Sequence, residues 1–266
     1  MRAQHTLDYD NHGCEGQAGI LSSVVDAGGA VIPVGENRFY MTWFPENWEI
    51  LSNRKLILTL HGVGGCAERN FEWWLPLAQK HGYAIAALQY AEADIRNVDP
   101  EEKYVFNDAH EIYTNLKAIL TDLDTHCPLN DTAAVYHGFS KGSTLSFHIA
   151  MLDRSPEGIA AFSTFISDSG GAFAKPGGAV PGYLENAPQS AYWGAHFWLY
   201  CGEKDNRGRV CQDVDRMVRI ILPLAGYVDA VYKFPPGGHG IFITGQDGEQ
   251  SPPIAAMTKY INELER

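Results

Sequence analysis

Hydrophobic positions along the chain follow two alternating patterns. Short, nearly unbroken apolar runs occur at residues 56–60, 84–88, 133–136, 160–166, 196–201 and 230–234, most of them followed within two residues by Gly or Ser. Runs of this length, bounded by turn-forming residues, predict strands buried on both faces. Residues 38–44 predict an earlier, antiparallel strand. Between these runs the period lengthens to that of a helix. Residues 109–123 place Ile112, Leu116, Ile119, Leu120 and Leu123 on one face, and residues 212–224 do the same with Val214, Met217, Val218, Ile221 and Leu222. Residues 143–152 also read as a helix. A last helix is predicted after Ser251-Pro252-Pro253, where Pro suits the first turn, with Ile254, Met257 and Ile261 on one side.

Strands alternating with helices imply right-handed βαβ units. The prediction is an α/β fold: one domain over residues 1–266, a mostly parallel central sheet with helices on both faces, and a loop-rich extension at 1–38. No internal repeat or long linker interrupts it. Residues 168–195 are punctuated by Gly170, Gly171, Pro176, Gly177, Gly178, Pro181 and Gly182. That composition predicts an irregular loop, so no large cap domain is expected.

Composition narrows the partners. A chain of 266 residues can bury about 70–75% of its unfolded surface. Its net charge of −12 opposes binding to a phosphate backbone or an anionic membrane surface. No apolar run approaches the roughly 18 residues of a transmembrane span. The first thirty residues show no signal peptide, which is also how a secreted mature form would read. Nothing in the sequence sets an oligomeric state. Of the five cysteines none forms a CxxC pair, so neither a thiolate zinc site nor a dithiol redox motif is expected. Cys201 and Cys211 are close enough to be bridged, and two buried free thiols fit equally well.

Four segments carry candidate chemistry. Gly138-Phe139-Ser140-Lys141-Gly142 follows a predicted strand and opens a predicted helix. This is GxSxG in a strand–turn–helix setting, where the turn is so tight that Cβ atoms two positions before and after the serine would clash, hence Gly138 and Gly142. The helix N-terminus then directs partial positive charge at Ser140. His61-Gly62-Val63-Gly64-Gly65 follows another strand, and a glycine-rich loop there lets backbone N–H groups approach a developing oxyanion. It matches neither GxGxxG nor a P-loop. Gly202-Glu203-Lys204-Asp205 puts a carboxylate just past a late strand. Gly237-Gly238-His239-Gly240 puts a histidine after the last one, and among ten histidines His239 alone has that setting. His61 and His137 read as loop and strand supports. Asp168, after the run at 160–166, is a rival acid. No HExxH or other ligand spacing points to a metal, and no cofactor is implied.

The order Ser140, Asp205, His239 and the four motifs resemble the α/β-hydrolase superfamily, in its serine esterase, carboxylesterase, dienelactone hydrolase and polyester depolymerase branches. The resemblance runs from about Arg38 to the C-terminus. It implies a nucleophile at Ser140, an acid at Asp205 and a base at His239. It further implies oxyanion-hole amides from Val63 and Lys141, with Gly64 as the alternative donor in the first loop. The implied reaction is cofactor-free hydrolysis of a carboxylic ester, small or polymeric. A thioesterase or peptidase on the same residues is the nearest alternative, and a catalytically silent binding module the more distant one. Phe71, Trp73 and Trp74 are candidates for an acyl pocket or for core packing. At least one of Tyr183, Tyr192 and Trp193 is expected at the rim of the site, touching substrate.

Overall fold

A computed structural model describes residues 21–34, 38–51, 54–63, 65–90, 102–126, 134–173, 177–205, 209–234 and 237–239. Among them, eight strands form one sheet: β1 (Ala30–Pro33), β2 (Phe39–Trp43), β3 (Leu56–Leu60), β4 (Ala84–Gln89), β5 (Ala134–Phe139), β6 (Phe162–Asp168), β7 (His196–Gly202) and β8 (Tyr227–Phe234). The order across the sheet is β1-β2-β4-β3-β5-β6-β7-β8. β1 and β2 pair antiparallel, as do β2 and β4; the pairs from β4 through to β8 are parallel.

The strands are continuous apolar runs because helices cover both sides of the sheet. Alternate side chains divide between two cores. Leu56, Leu58 and Leu60 join the core against α3 (Glu102–His126), α4 (Lys141–Arg154) and α6 (Val210–Ile221). Ile57, Ile85, Val135 and Ile166 point the other way, toward α1 (Leu21–Asp26) and α2 (Ala67–His81). The segment expected to be an irregular loop holds one short helix, α5 (Gly182–Glu185).

Several predicted boundaries shift, each for a tertiary reason. β5 extends beyond 136 to Phe139, because its pairing with β6 continues through Gly138↔Ser167 and Phe139↔Asp168. β6 starts at Phe162 rather than at 160. Ala160 has φ 50, and buried Asp153 at the end of α4 accepts the N–H groups of Ala161 and Phe162, both at 3.1 Å. β8 starts three residues early, at Tyr227, paired with His196. The expected loop-rich extension is corrected in part: α1 and the edge strand β1 lie within it, and residues 1–20 are outside the described residues. The predicted helix after Ser251 is also outside them.

Beneath the turn between β5 and α4, polar side chains tie the sheet to α2. Asn70 Nδ2–H donates to Thr59 Oγ1 at 2.7 Å, and Thr59 Oγ1 lies 2.8 Å from His137 Nδ1. Trp74 Nε1–H also donates to that Nδ1, at 3.2 Å. Two donors on one ring nitrogen require it to be unprotonated. Burial agrees, lowering the His137 pKa to about 3. His137 is thus a neutral support fixed inside the sheet.

Candidate active site

Ser140 sits between the last residue of β5 and the first of α4 at φ 53, ψ −108. A non-glycine residue at positive φ costs about 1–3 kcal/mol and persists only where its surroundings enforce it. Here they do. A Cβ on Gly138 would lie 2.2 Å from the Gly142 oxygen, so the chain folds back on itself more tightly than any side chain allows. Ser140 N–H donates to the Asp168 carbonyl at 2.8 Å, and its own carbonyl accepts Thr144 N–H at 2.9 Å. The side chain is held at the carboxyl end of the sheet, over the start of α4. The amide of Lys141 is the first of that helix, and first-turn amides have no partner within the helix.

Two further loops converge on the serine. His239 Nε2 is 3.0 Å from Ser140 Oγ, and His239 Nδ1 is 2.7 Å from Asp205 Oδ2. A carboxylate accepts the Nδ1–H, which leaves Nε2 to accept from the serine hydroxyl. The loops that carry Asp205 and His239 interlock. Lys204 N–H donates to the Gly237 carbonyl at 2.8 Å. A Cβ on Gly202 would lie 2.3 Å from the carbonyl oxygens of both Gly237 and Gly238, so only glycine permits this approach. Cys201 and Cys211 form a disulfide, ten residues apart in sequence, that brackets Asp205. The sequence left this bond open.

Asp168, the rival acid, ends β6 on the neighbouring strand. It is buried; its Oδ1 accepts the Ser169 hydroxyl at 2.8 Å, and its Oδ2 has no hydrogen-bond partner. Burial raises its pKa to about 7, with the charge of Asp205 adding to the rise and the Ser169 bond opposing it. The imidazole of His239 is bonded to Asp205 and not to Asp168.

The first glycine-rich loop runs beside the turn at Ser140: a Cβ on Gly62 would lie 2.9 Å from Ser140 Cβ. Val63 is exposed at this loop, and Gly64 is outside the described residues. His61 anchors the loop from below. Its ring stacks on Tyr90 at 4.2 Å, its Nδ1 lies 2.7 Å from the Gly62 carbonyl, and Tyr90 Oη–H donates to the His61 carbonyl at 2.7 Å. Burial lowers the His61 pKa to about 4; the Gly62 bond opposes this and the Lys141 charge adds to it. The Lys141 ammonium lies 5.5 Å from the centre of the Tyr90 ring. Tyr90 was not singled out in the sequence, where it is one aromatic residue after a predicted strand.

The aromatic candidates separate. Phe71 and Trp74 are buried in the core. Trp73 is half-buried and meets Phe139 edge to face, with centroids 6.2 Å apart, and Phe139 lies 5.2 Å from the His239 ring. Helical spacing carries this signal, since Phe71, Trp74 and Ala78 define one face and Trp73 lies off it. Of Tyr183, Tyr192 and Trp193, the structure places two away from Ser140. Tyr192 is buried against Phe197 and bonds Leu224 at the opposite end of β7, and Trp193 is exposed at that same end. Tyr183 stacks on His148, about two turns along α4 from Ser140.

Among the described residues no group of three or more His, Cys, Asp or Glu is arranged to hold a metal, and no helix is long and apolar enough to cross a membrane. No protein-family model matches the chain, and no curated protein sequence does. Solved structures do match. An esterase from Rhizomucor miehei aligns at TM-score 0.63 and 16% identity, over 98% of this chain and 91% of that one. A carboxylesterase from Mesorhizobium loti aligns at 0.58 and 17%, over 86% and 98%. A dienelactone hydrolase from Anabaena variabilis aligns at 0.55 and 17%, over 88% and 94%. The chain has the α/β-hydrolase fold. In that fold the catalytic groups gather where parallel strands end, and here the carboxyl ends of β5 and β7 and the loop after β8 bring Ser140, Asp205 and His239 together.

Proposed function

We propose that this single-domain α/β-hydrolase-fold protein is a serine hydrolase of carboxylic esters. The observation that carries the reading is the unbroken line of hydrogen bonds from Asp205 through His239 to Ser140, with the serine raised on a positive-φ turn. Ser140 Oγ attacks the ester carbonyl carbon while His239 Nε2 takes its proton. Asp205 holds the imidazole in the required tautomer and stabilises the imidazolium. The carbonyl oxygen becomes an oxyanion facing the amides of Val63 and Lys141; one such donor contributes about 3–4 kcal/mol in comparable sites. The tetrahedral adduct collapses, the C–O bond breaks, and His239 returns the proton to the leaving alkoxide. Water then attacks the acyl-enzyme with His239 again as base, releasing the acid and restoring Ser140. No cofactor enters. Esters fit better than amides, because an alkoxide leaves more readily than an amine.

The test is Ser140→Ala, assayed on a panel of p-nitrophenyl esters alongside labelling of the native protein by a fluorophosphonate probe. The expected result is probe labelling at Ser140 and a loss of kcat on the order of 10⁶ in the variant. Retention of more than a few per cent of activity by a pure variant overturns the assignment. Absence of labelling returns the chain to the silent-module reading.

A further inference from the structure

Beside the nucleophile lies an aromatic surface that the hydrolytic steps do not use. Phe139, the residue before Ser140, is half-buried, and its ring is tilted 46° to the His239 imidazole at 5.2 Å. The same ring leans on the oxyanion loop: a Cβ on Gly62 would lie 3.0 Å from Phe139 Cδ1. Trp73 supports it from α2, perpendicular at 89°. Val63, the next residue of the loop, is 40% exposed. Phe139 and Trp73 thus form a short shelf running outward from the gap between the oxyanion loop and the base. The core aromatics Phe71, Trp74 and Phe165 are fully enclosed, whereas Phe139 and Trp73 keep part of their surface exposed.

The geometry points to this shelf as the subsite for an aromatic ring carried by the ester, on its acyl or its alcohol side. The inference rests on the ester-hydrolase reading and names its substrate class. An alkyl group would gain only the covered area there. A flat ring gains that area and also the offset or edge-to-face arrangement with Phe139 and Trp73, a further factor of about two to ten in affinity. Both rings are fixed on regular elements, Phe139 at the end of β5 and Trp73 within α2, so little ordering is required when substrate arrives.

Two matched pairs of esters test it: benzyl acetate against cyclohexylmethyl acetate, and methyl phenylacetate against methyl cyclohexylacetate. Each pair differs only in whether the ring is aromatic, and the two pairs place it on the alcohol and the acyl side. The native enzyme is expected to favour the aromatic member at least about three-fold in kcat/KM in one pair, which identifies the side. Trp73→Leu and Phe139→Leu, each confirmed folded by its melting curve, should bring that ratio near one. Equal rates within both pairs, or a ratio unchanged in both variants, overturn the inference. Binding is read separately in Ser140→Ala. Titration with 4-nitrobenzyl acetate should quench tryptophan fluorescence saturably, and Ser140→Ala/Trp73→Phe should lose that component. Quenching without any native ester hydrolysis leaves the shelf standing and removes the ester-hydrolase reading. Small-ester hydrolysis through Ser140 with neither aromatic preference nor quenching does the reverse.

Discussion

The ends of β6 and β7 make an instructive pair. Adjacent parallel strands terminate at the same edge of the sheet: β6 ends at buried Asp168, and buried Asp205 follows the end of β7 by three residues. Asp205 lies on a loop that interlocks with the base loop, and its carboxylate has the His239 Nδ1–H to hold. Asp168 is the last residue of its strand, where its carbonyl is already committed to Ser140 N–H and its side chain meets one hydroxyl. On the proposed mechanism the same residue type therefore stabilises an imidazolium in one position, whereas in the other burial favours its neutral acid. Proximity to the nucleophile does not decide which carboxylate can act. A hydrogen-bonded imidazole does.

Exchanging the two carboxylates for amides tests that contrast most severely. Asp205→Asn is expected to lower kcat about 10⁴-fold, equivalent to 5–6 kcal/mol, because the imidazole loses its tautomer. Asp168→Asn, measured on the same short-chain ester, should stay within about ten-fold of the native rate. If the Asp168 variant is the crippled one, the two roles are reversed.

The next effect lies in stability rather than rate. A carboxyl that stays protonated in the folded state up to about pH 7, while the unfolded chain releases its proton near pH 4, makes stability fall as pH rises between those values. The full drop from this one group is up to about 4 kcal/mol. Asp168→Asn should remove it, so urea midpoints of variant and native protein should draw apart between pH 5 and pH 8 in the variant's favour. Parallel midpoints would mean that Asp168 is ionised throughout.

The third test loosens the β7 end alone. Replacing Cys201 and Cys211 together by Ala opens the ten-residue link around Asp205. The loss of loop constraint is expected to cost about 3 kcal/mol of stability. In the folded variant kcat should fall more than KM rises, because Asp205 and not the substrate loses its mooring. A lower melting temperature with native kcat would show that the interlocked glycines hold the loop unaided.

How much of this was legible in the sequence depended on whether the deciding force was local. Strands 56–60 and 84–88 were readable because burial on both faces leaves an unbroken apolar run. β1 was not, because its short apolar run at Ala30–Pro33 ends in proline and lies at the sheet edge, with only its two central residues half-buried. GxSxG and its flanking period located the turn at Ser140, and chain order pointed to Asp205 and His239. Their hydrogen-bond distances are tertiary facts. So is the elevated pKa of Asp168, because desolvation depends on what packs over a strand end and not on its neighbours in sequence. Trp73 and Trp74 differ by one position, and only helical phase separates the ring beside the site from the ring in the core.

The contact between Ser140 and His239 spans 99 residues. Seen in time rather than space, that separation is a delay. Chains are synthesised at roughly 5–20 residues per second, so Ser140 is made about 5–20 s before His239. Through that interval the turn at Ser140 can fold with β3, β5 and α4, yet its serine has no proton acceptor. On the proposed mechanism Ser140 gains its base only after β8 has docked at the far edge of the sheet. Reactivity is therefore among the last properties this chain acquires, and its return during refolding reports a finished sheet.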